Sequence, residues 1–176
     1  MFDMDETLVE TNFANFLSYK SAIQKSLGIV FAIPYNPNQR FTRETLKETF
    51  PDISSVTTDK IVHLKNQYFN DHLSLTSLIK PSVDILKKFA PTNKTILVTN
   101  CREERAISTL QYHALNHLFS FMFFHQEKDN GKNNKFEYAL SSLNISAVSV
   151  IVFENDPKEI EAALFCGIPR TNIIIC

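Results

Sequence analysis

Glycine is scarce in this chain: Gly28, Gly131 and Gly167 are all it has in 176 residues. A loop that wraps a nucleotide's phosphates needs several closely spaced glycines, so the P-loop and the dinucleotide-binding fingerprint are both excluded. Cysteine is as rare. Cys101, Cys166 and Cys176 cannot all pair with one another and form no Cys-x-x-Cys, which excludes a disulfide scaffold and argues against a structural zinc site. Such usage fits a reducing compartment, and a cytoplasmic location is the expectation. No apolar run is long enough to cross a bilayer, and no basic segment followed by an apolar stretch marks a secretory signal. An excess of one charge is missing too: 18 Lys and Arg stand against 19 Asp and Glu, for a net charge of -1. Neither a basic arm nor an acidic tail is present, so no nucleic-acid partner is expected. Self-similarity at a solenoid period is also absent.

What remains is the balance of an ordinary globular domain, 44% hydrophobic and 21% charged, in a length suited to one core with a modest insertion. Acidic residues follow the opening Met1-Phe2 at once, and the chain stops inside the apolar run 172–176. Those ends read as a piece of a longer protein, or as a first strand that has lost residues. Four later segments are short and apolar, mostly with branched or aromatic residues: 94–99, 119–124, 147–153 and 171–175. Each predicts a buried strand. Helical patterns lie between them. Ala106, Leu110, Ala114 and Leu118 repeat every fourth residue and predict a helix over 102–118. Phe136, Leu140 and Leu143 predict a shorter one, and Pro157 and Gly167 bracket another. Strands alternating with helices imply a parallel sheet covered on both faces. Residues 12–78 break that rhythm with helical patterns at 12–27, 42–50 and 57–72, and read as a helical insertion.

Four short motifs sit where an open α/β sheet binds ligands, beyond the carboxyl ends of its strands. In Asp3-Met4-Asp5-Glu6-Thr7, one carboxylate suits a nucleophile toward phosphorus and the other an acid and base to leaving group and water. Helix capping by Asp5 or Thr7 is the plainer reading of that motif alone. Thr99-Asn100, ending the run 96–98, offers a hydroxyl and backbone N–H groups to a phosphate, or simply caps the next helix. Lys132 and Lys135 in 131–136 lie near a helix start, where the dipole disfavours a cation. One of them therefore reads as the partner of a buried anion. Glu154-Asn155-Asp156-Pro157 supplies the oxygen donors Mg²⁺ prefers, or an N-cap at Asp156.

Taken in order and spacing, residues 3–7, 96–99, 132–135 and 153–167 resemble the haloacid dehalogenase-like phosphohydrolases over nearly the whole chain. The resemblance implies a Rossmann-like three-layer α/β core with a mostly parallel sheet, formed by 1–11 and 79–176, and a small all-helical C1-type cap formed by 12–78. It implies Asp3 as nucleophile and Mg²⁺ ligand, and Asp5 as general acid/base with its carbonyl on the metal. It further implies Thr99 and Asn100 as phosphate-binding groups, and Lys135 in preference to Lys132 as the charge-neutralising lysine. Asn155 and Glu154 complete the implied metal site. The family generally has an aspartate where Asn155 stands, so weaker Mg²⁺ binding is expected.

The implied activity is Mg²⁺-dependent hydrolysis of a phosphomonoester through an aspartyl-phosphate on Asp3. The substrate is a phosphorylated small molecule or a phosphoprotein bearing phosphotyrosine. The alternative is a binding module with a decayed site, motivated by Asn155. Arg40, Arg43, Lys47, Lys65 and Arg102 are candidate substrate contacts, although solvated helix positions account for most such residues. Asn12, Phe13 and Phe16 are candidates for lining a cleft, or one buried helix face. The five histidines, at 63, 72, 113, 117 and 125, form no metal-ligand pattern.

Overall fold

The structure is a computed structural model that describes residues 1–30, 32–124 and 134–176. It divides into two compact units, Thr11–Ser77 and the remainder, Met1–Glu10 with Leu78–Cys176.

The Thr11–Ser77 unit is helical. Its helices are α1 (Asn12–Leu27), α2 (Arg43–Thr49) and α3 (Ser55–Phe69), followed by a 3₁₀ stretch, Asn70–Leu75. The starts and stops follow local chemistry. Thr42 and Thr45 form a reciprocal capping box at α2, Ser54 accepts from the Thr57 N–H at α3, and Gly28 ends α1 in the left-handed region at φ 67°. Phe16, Tyr19, Ala22 and Ile23 of α1 pack with Phe41, Leu46 and Ile61 in the unit's own core. Phe16 thus lies in a buried face, whereas Phe13 is 41% exposed.

Short strands β1 (Val9–Glu10) and β2 (Ser77–Leu78) mark the two places where the chain crosses between units. The second unit then runs α4 (Lys80–Phe89), β3 (Ile96–Val98), α5 (Glu103–Tyr112), β4 (Phe121–Phe123), α6 (Lys135–Leu143), β5 (Val152–Glu154), α7 (Pro157–Phe165) and β6 (Ile173–Ile175). Strands β3 and β4 pair in parallel, as do β5 and β6. Phe2 joins the two pairs through parallel bridges to Leu97 and Phe153. The Phe2 N–H donates to Ile96 O at 2.8 Å, Val98 N–H to Phe2 O at 2.9 Å and Asp3 N–H to Phe153 O at 3.0 Å. The spatial order is therefore β4, β3, the opening Met1–Asp3 segment, β5, β6.

The pleat sorts neighbouring residues to opposite faces. Met1, Ile96, Val98 and Val152 meet α6 and α7 through Phe136, Ala139, Ile160 and Ala163. Phe2, Leu97 and Phe153 meet α4 and α5 through Val83, Leu86, Ala106 and Leu110. Both faces are covered, which is the Rossmann-like three-layer arrangement. It also explains why β3, β4 and β6 read as uninterrupted apolar sequence.

Several expected elements are shorter than their patterns: the runs 94–99 and 119–124 form strands only over Ile96–Val98 and Phe121–Phe123, and three others stop or start for a visible reason. The helix expected over 102–118 ends at Tyr112, because Ala114 turns left-handed at φ 54°. That turn lets the Leu115 N–H reach Leu110 O at 2.8 Å and buries Leu115 completely. The strand expected over 147–153 begins as a 3₁₀ turn, Ala147–Ser149, and is extended and paired over Val152–Glu154. The strand expected over 171–175 likewise begins inside a 3₁₀ turn, Arg170–Asn172.

Candidate active site

The sheet brings three chain segments to one edge: the end of the opening segment at Asp3, the end of β3 at Thr99, and the end of β5 at Glu154. Helix α6 enters beside them at Lys135. Its N-cap, Asn134, accepts from the Phe136 N–H at 2.9 Å and donates to Ala162 O at 2.6 Å, so the first turn is fixed both to itself and to α7.

Lys135 is the hub of one half of the site. Its Nζ donates to Asp3 Oδ1 at 3.0 Å and to Glu154 Oε2 at 2.7 Å, and lies 3.6 Å from Glu159 Oε2. Its side chain is only 7% exposed. Burial works against its charge, but Asp3, Glu154 and Glu159 outweigh that and hold the amine above its ordinary pKa. Three carboxylates thus share one ammonium. Asp3 shows the shortfall: burial pushes its carboxyl up, Lys135 only partly offsets that, and Glu154 and Asp5 add repulsion, leaving it at about 7. The other oxygen of Glu154, Oε1, accepts the backbone N–H groups of Asn155 at 2.9 Å and Asp156 at 3.1 Å.

Asp5 forms the other half with a different cation. Arg105 donates from Nη1 to Asp5 Oδ1 at 2.9 Å and from Nη2 to Oδ2 at 2.5 Å, a two-bond fork. The arginine side chain is 6% exposed and that of Asp5 is 17% exposed. Between the two aspartates and β1 the chain turns sharply. The N–H groups of Thr7, Leu8 and Val9 all converge on Met4 O, and Glu6 sits at φ 57°. This turn aims the buried Thr7 hydroxyl at Asn155, whose Oδ1 accepts from it at 3.1 Å. Thr99 is buried, and its Oγ1 accepts the Cys101 N–H at 3.2 Å; Asn100 beside it is exposed.

Asp3, Asp5, Lys135, Glu154 and Asn155 are therefore linked by contacts with one another or with immediate neighbours, and Thr99 ends the strand next to Asp3's. Lys132 lies outside the described residues. Of the candidate substrate contacts, Arg43 forms an exposed ion pair with Asp59. Arg40 donates to Thr11 Oγ1 at 3.0 Å and Asn12 Oδ1 at 2.7 Å. Lys65 is buried, with its ammonium 5.3 Å from the Tyr19 ring centre. Lys47 is exposed and Arg102 half-buried.

Sequence reasoning passed over Arg105 and Glu159. Arg105 had a signal: with Thr109 it sits at i, i+4 directly beside the buried Ala106 and Leu110, where a charge needs a buried partner. Glu159 lies in the first turn of α7, where a helix-dipole role already accounts for an acid.

Among the described residues, no three His, Cys, Asp or Glu side chains cluster as a metal site. The oxygens that the resemblance assigns to a metal, from the Asp3 carboxylate, the Asp5 carbonyl, the Asn155 amide and the Glu154 carboxylate, are all hard donors. Three carboxylates around one lysine leave this half of the site short of positive charge. Donor type and missing charge both fit a divalent cation such as Mg²⁺.

Comparison with known proteins gives a consistent answer. The family model described as haloacid dehalogenase-like hydrolase matches residues 1–173. A phosphorylated carbohydrates phosphatase from Thermotoga maritima is 26% identical over 183 residues, covering 97% of this chain and 82% of that protein. The solved structure of CbbY from Rhodobacter sphaeroides in complex with phosphate superposes with a TM-score of 0.80 at 14% identity, covering 99% of this chain and 83% of that one. A predicted phosphoglycolate phosphatase from Haemophilus somnus gives 0.73 at 19% identity, covering 94% and 80%. At such identities the structural likeness speaks for the fold.

Proposed function

The chain belongs to the haloacid dehalogenase-like hydrolases and is a phosphatase; on that premise, we propose that it hydrolyses phosphomonoesters of small metabolites, sugar phosphates first among them, through an aspartyl-phosphate on Asp3. The observation that carries this reading is the paired environment of the two aspartates: one beside a lysine and two further carboxylates, the other held by an arginine. The Met1–Glu10 and Leu78–Cys176 unit is the catalytic core, and the helical Thr11–Ser77 unit is the C1-type cap that selects substrate.

In the first half-reaction Asp3 attacks phosphorus, the ester P–O bond breaks, and Asp5 gives its proton to the departing oxygen. In the second, water attacks the phosphorus of the aspartyl-phosphate, Asp5 takes the water's proton, and inorganic phosphate leaves with Asp3 restored. Lys135 stays charged throughout and offsets the negative charge crowded around Asp3 and the phosphoryl group. Thr99 and the Asn100 N–H hold phosphoryl oxygens. Asp3, the Asp5 carbonyl and Asn155 would hold Mg²⁺, which supplies charge neutralisation at the phosphoryl oxygens. Both oxygens of Glu154 are already engaged, so its part is to fix Lys135 and the Asn155–Asp156 backbone.

The relative that is named for phosphorylated carbohydrates favours that substrate class; nothing in the comparisons favours a phosphoprotein. The test is a panel of sugar phosphates, phosphoglycolate and a phosphotyrosine peptide, assayed with Mg²⁺ and with EDTA. Mg²⁺-dependent release of phosphate from the small substrates is expected. A folded protein inert toward all of them would return the reading to a binding module.

A further inference from the structure

We propose that Arg105 is a positioning residue for Asp5: its guanidinium holds the carboxylate at two points, so that one oxygen stays fixed while the other exchanges a proton with the substrate. The inference rests on the reading of Asp5 as the proton-transfer group. Its evidence is geometric. Both Asp5 oxygens are engaged by the two terminal nitrogens of one arginine. That arginine is buried on the face of α5 that carries Ala106, Thr109 and Leu110 into the core.

A purely structural role explains this poorly. Burying a guanidinium and a carboxylate costs desolvation that their attraction repays only with good geometry, and an apolar side chain at the same place is often at least as stable. The ordinary payoff of such a pair is a fixed orientation, and arginine supplies it because its planar fork matches a carboxylate. Burial opposes the charge on Arg105, but Asp5, with Cys101 and Asp3 adding to it, holds the guanidinium firmly protonated.

The fork also has to open. As the ester P–O bond breaks, a proton passes from an Asp5 oxygen to the departing oxygen; later a proton passes from water to Asp5. The reacting oxygen regains its guanidinium N–H as its proton leaves and gives that N–H up as the proton from water arrives, and the second N–H–oxygen bond acts as a pivot in both transfers. Lysine, a point charge on a flexible stem, cannot keep that two-point register.

The test is steady-state and single-turnover hydrolysis of p-nitrophenyl phosphate with Mg²⁺, using wild type, Asp3→Asn, Arg105→Lys, Asp5→Asn and Asp5→Asn/Arg105→Lys. Arg105→Lys is expected to lower kcat by about 10- to 100-fold, since misplacing a reacting group has effects of that size. KM should stay within about threefold of wild type, because ground-state binding is untouched. In the Asp5→Asn background the same substitution should slow turnover no further. Wild-type kcat in Arg105→Lys would overturn the proposal, as would equal slowing in both backgrounds. Arg105→Ala, which keeps a good helix former in α5, guards against misfolding. Added guanidinium, well below denaturing concentration, should restore part of its kcat, and a folded variant that is not rescued also overturns the proposal. Failure of the underlying phosphatase reading looks different: wild type would be inert, or Asp3→Asn would be as active as wild type.

Discussion

Two aspartates separated by a single residue live in opposite electrostatic settings. Asp3 shares Lys135 with Glu154 and Glu159, and its carboxyl is pushed up to about 7 by burial. Asp5 is held at both carboxylate oxygens by the Arg105 guanidinium fork. One side of the site is short of positive charge and the other is balanced. The shortfall marks where a cation and a phosphoryl group would be accommodated; the balance marks where a side chain must be aimed. The same buried edge of one sheet provides both, because the short Met4–Val9 turn sends Asp5 toward α5 while Asp3 stays level with β5.

Removing the scarce cation breaks this comparison most severely. Lys135→Met leaves Asp3, Glu154 and Glu159 without their shared ammonium. Turnover should fall by about 10²- to 10³-fold, the scale seen when one charge-stabilising group is lost. The metal-free protein should lose about 3–5 kcal/mol, the scale for unpairing a buried charge, read by denaturant melts.

Removing a carboxylate instead should have the opposite effect on stability. With a folded-state value of about 7 against an ordinary 3.8, Asp3 holds its proton more tightly in the folded protein. Its contribution is therefore fully present below pH 3.8 and is lost as pH rises through about 7. Asp3→Asn should accordingly be more stable than wild type at pH 8 in EDTA, by up to about 4 kcal/mol, with the gain vanishing toward pH 4. Thermal melts of both proteins across that range check it. Mg²⁺ should raise the wild-type melting temperature at pH 8 and leave Asp3→Asn nearly unmoved.

The smallest change adds charge. Asn155→Asp places another carboxylate on the deficient side, beside the Thr7 hydroxyl that already contacts Asn155. Mg²⁺ affinity, read by calorimetry without substrate, should rise roughly tenfold, about 1.4 kcal/mol. The metal-free variant should be no more stable than wild type.

Much of this arrangement was legible in the residues. The Asp3-Met4-Asp5 pair, the hydroxyl at Thr99 and the acid–amide run at Glu154 each follow an apolar segment, and sheet geometry alone puts such endings together. Helix α1 falls at 12–27 as its pattern implies, since Gly28 gives it an unambiguous stop. The helix after β3 was misjudged because Ala114 and Leu118 continue the fourfold rhythm of Ala106 and Leu110, and nothing local announces a left-handed alanine. Arg105 was missed for a related reason: on a helix an arginine is ordinarily solvated, and its partner lies 100 residues away. The oxygens of Glu154 suit a metal on sequence grounds; the fold adds that Lys135 and two backbone N–H groups donate to them, partners that lie beyond any local pattern.

The central claim is that Asp3 is the group that receives the phosphoryl. Its most direct test is to react the protein with an aryl phosphate and Mg²⁺, quench during turnover, reduce any acyl phosphate with borohydride, and map the modified residue by mass spectrometry. Modification at Asp3, absent from Asp3→Asn, is the expected result. Sustained turnover with Asp3 unmodified, or modification at another carboxylate, would contradict it.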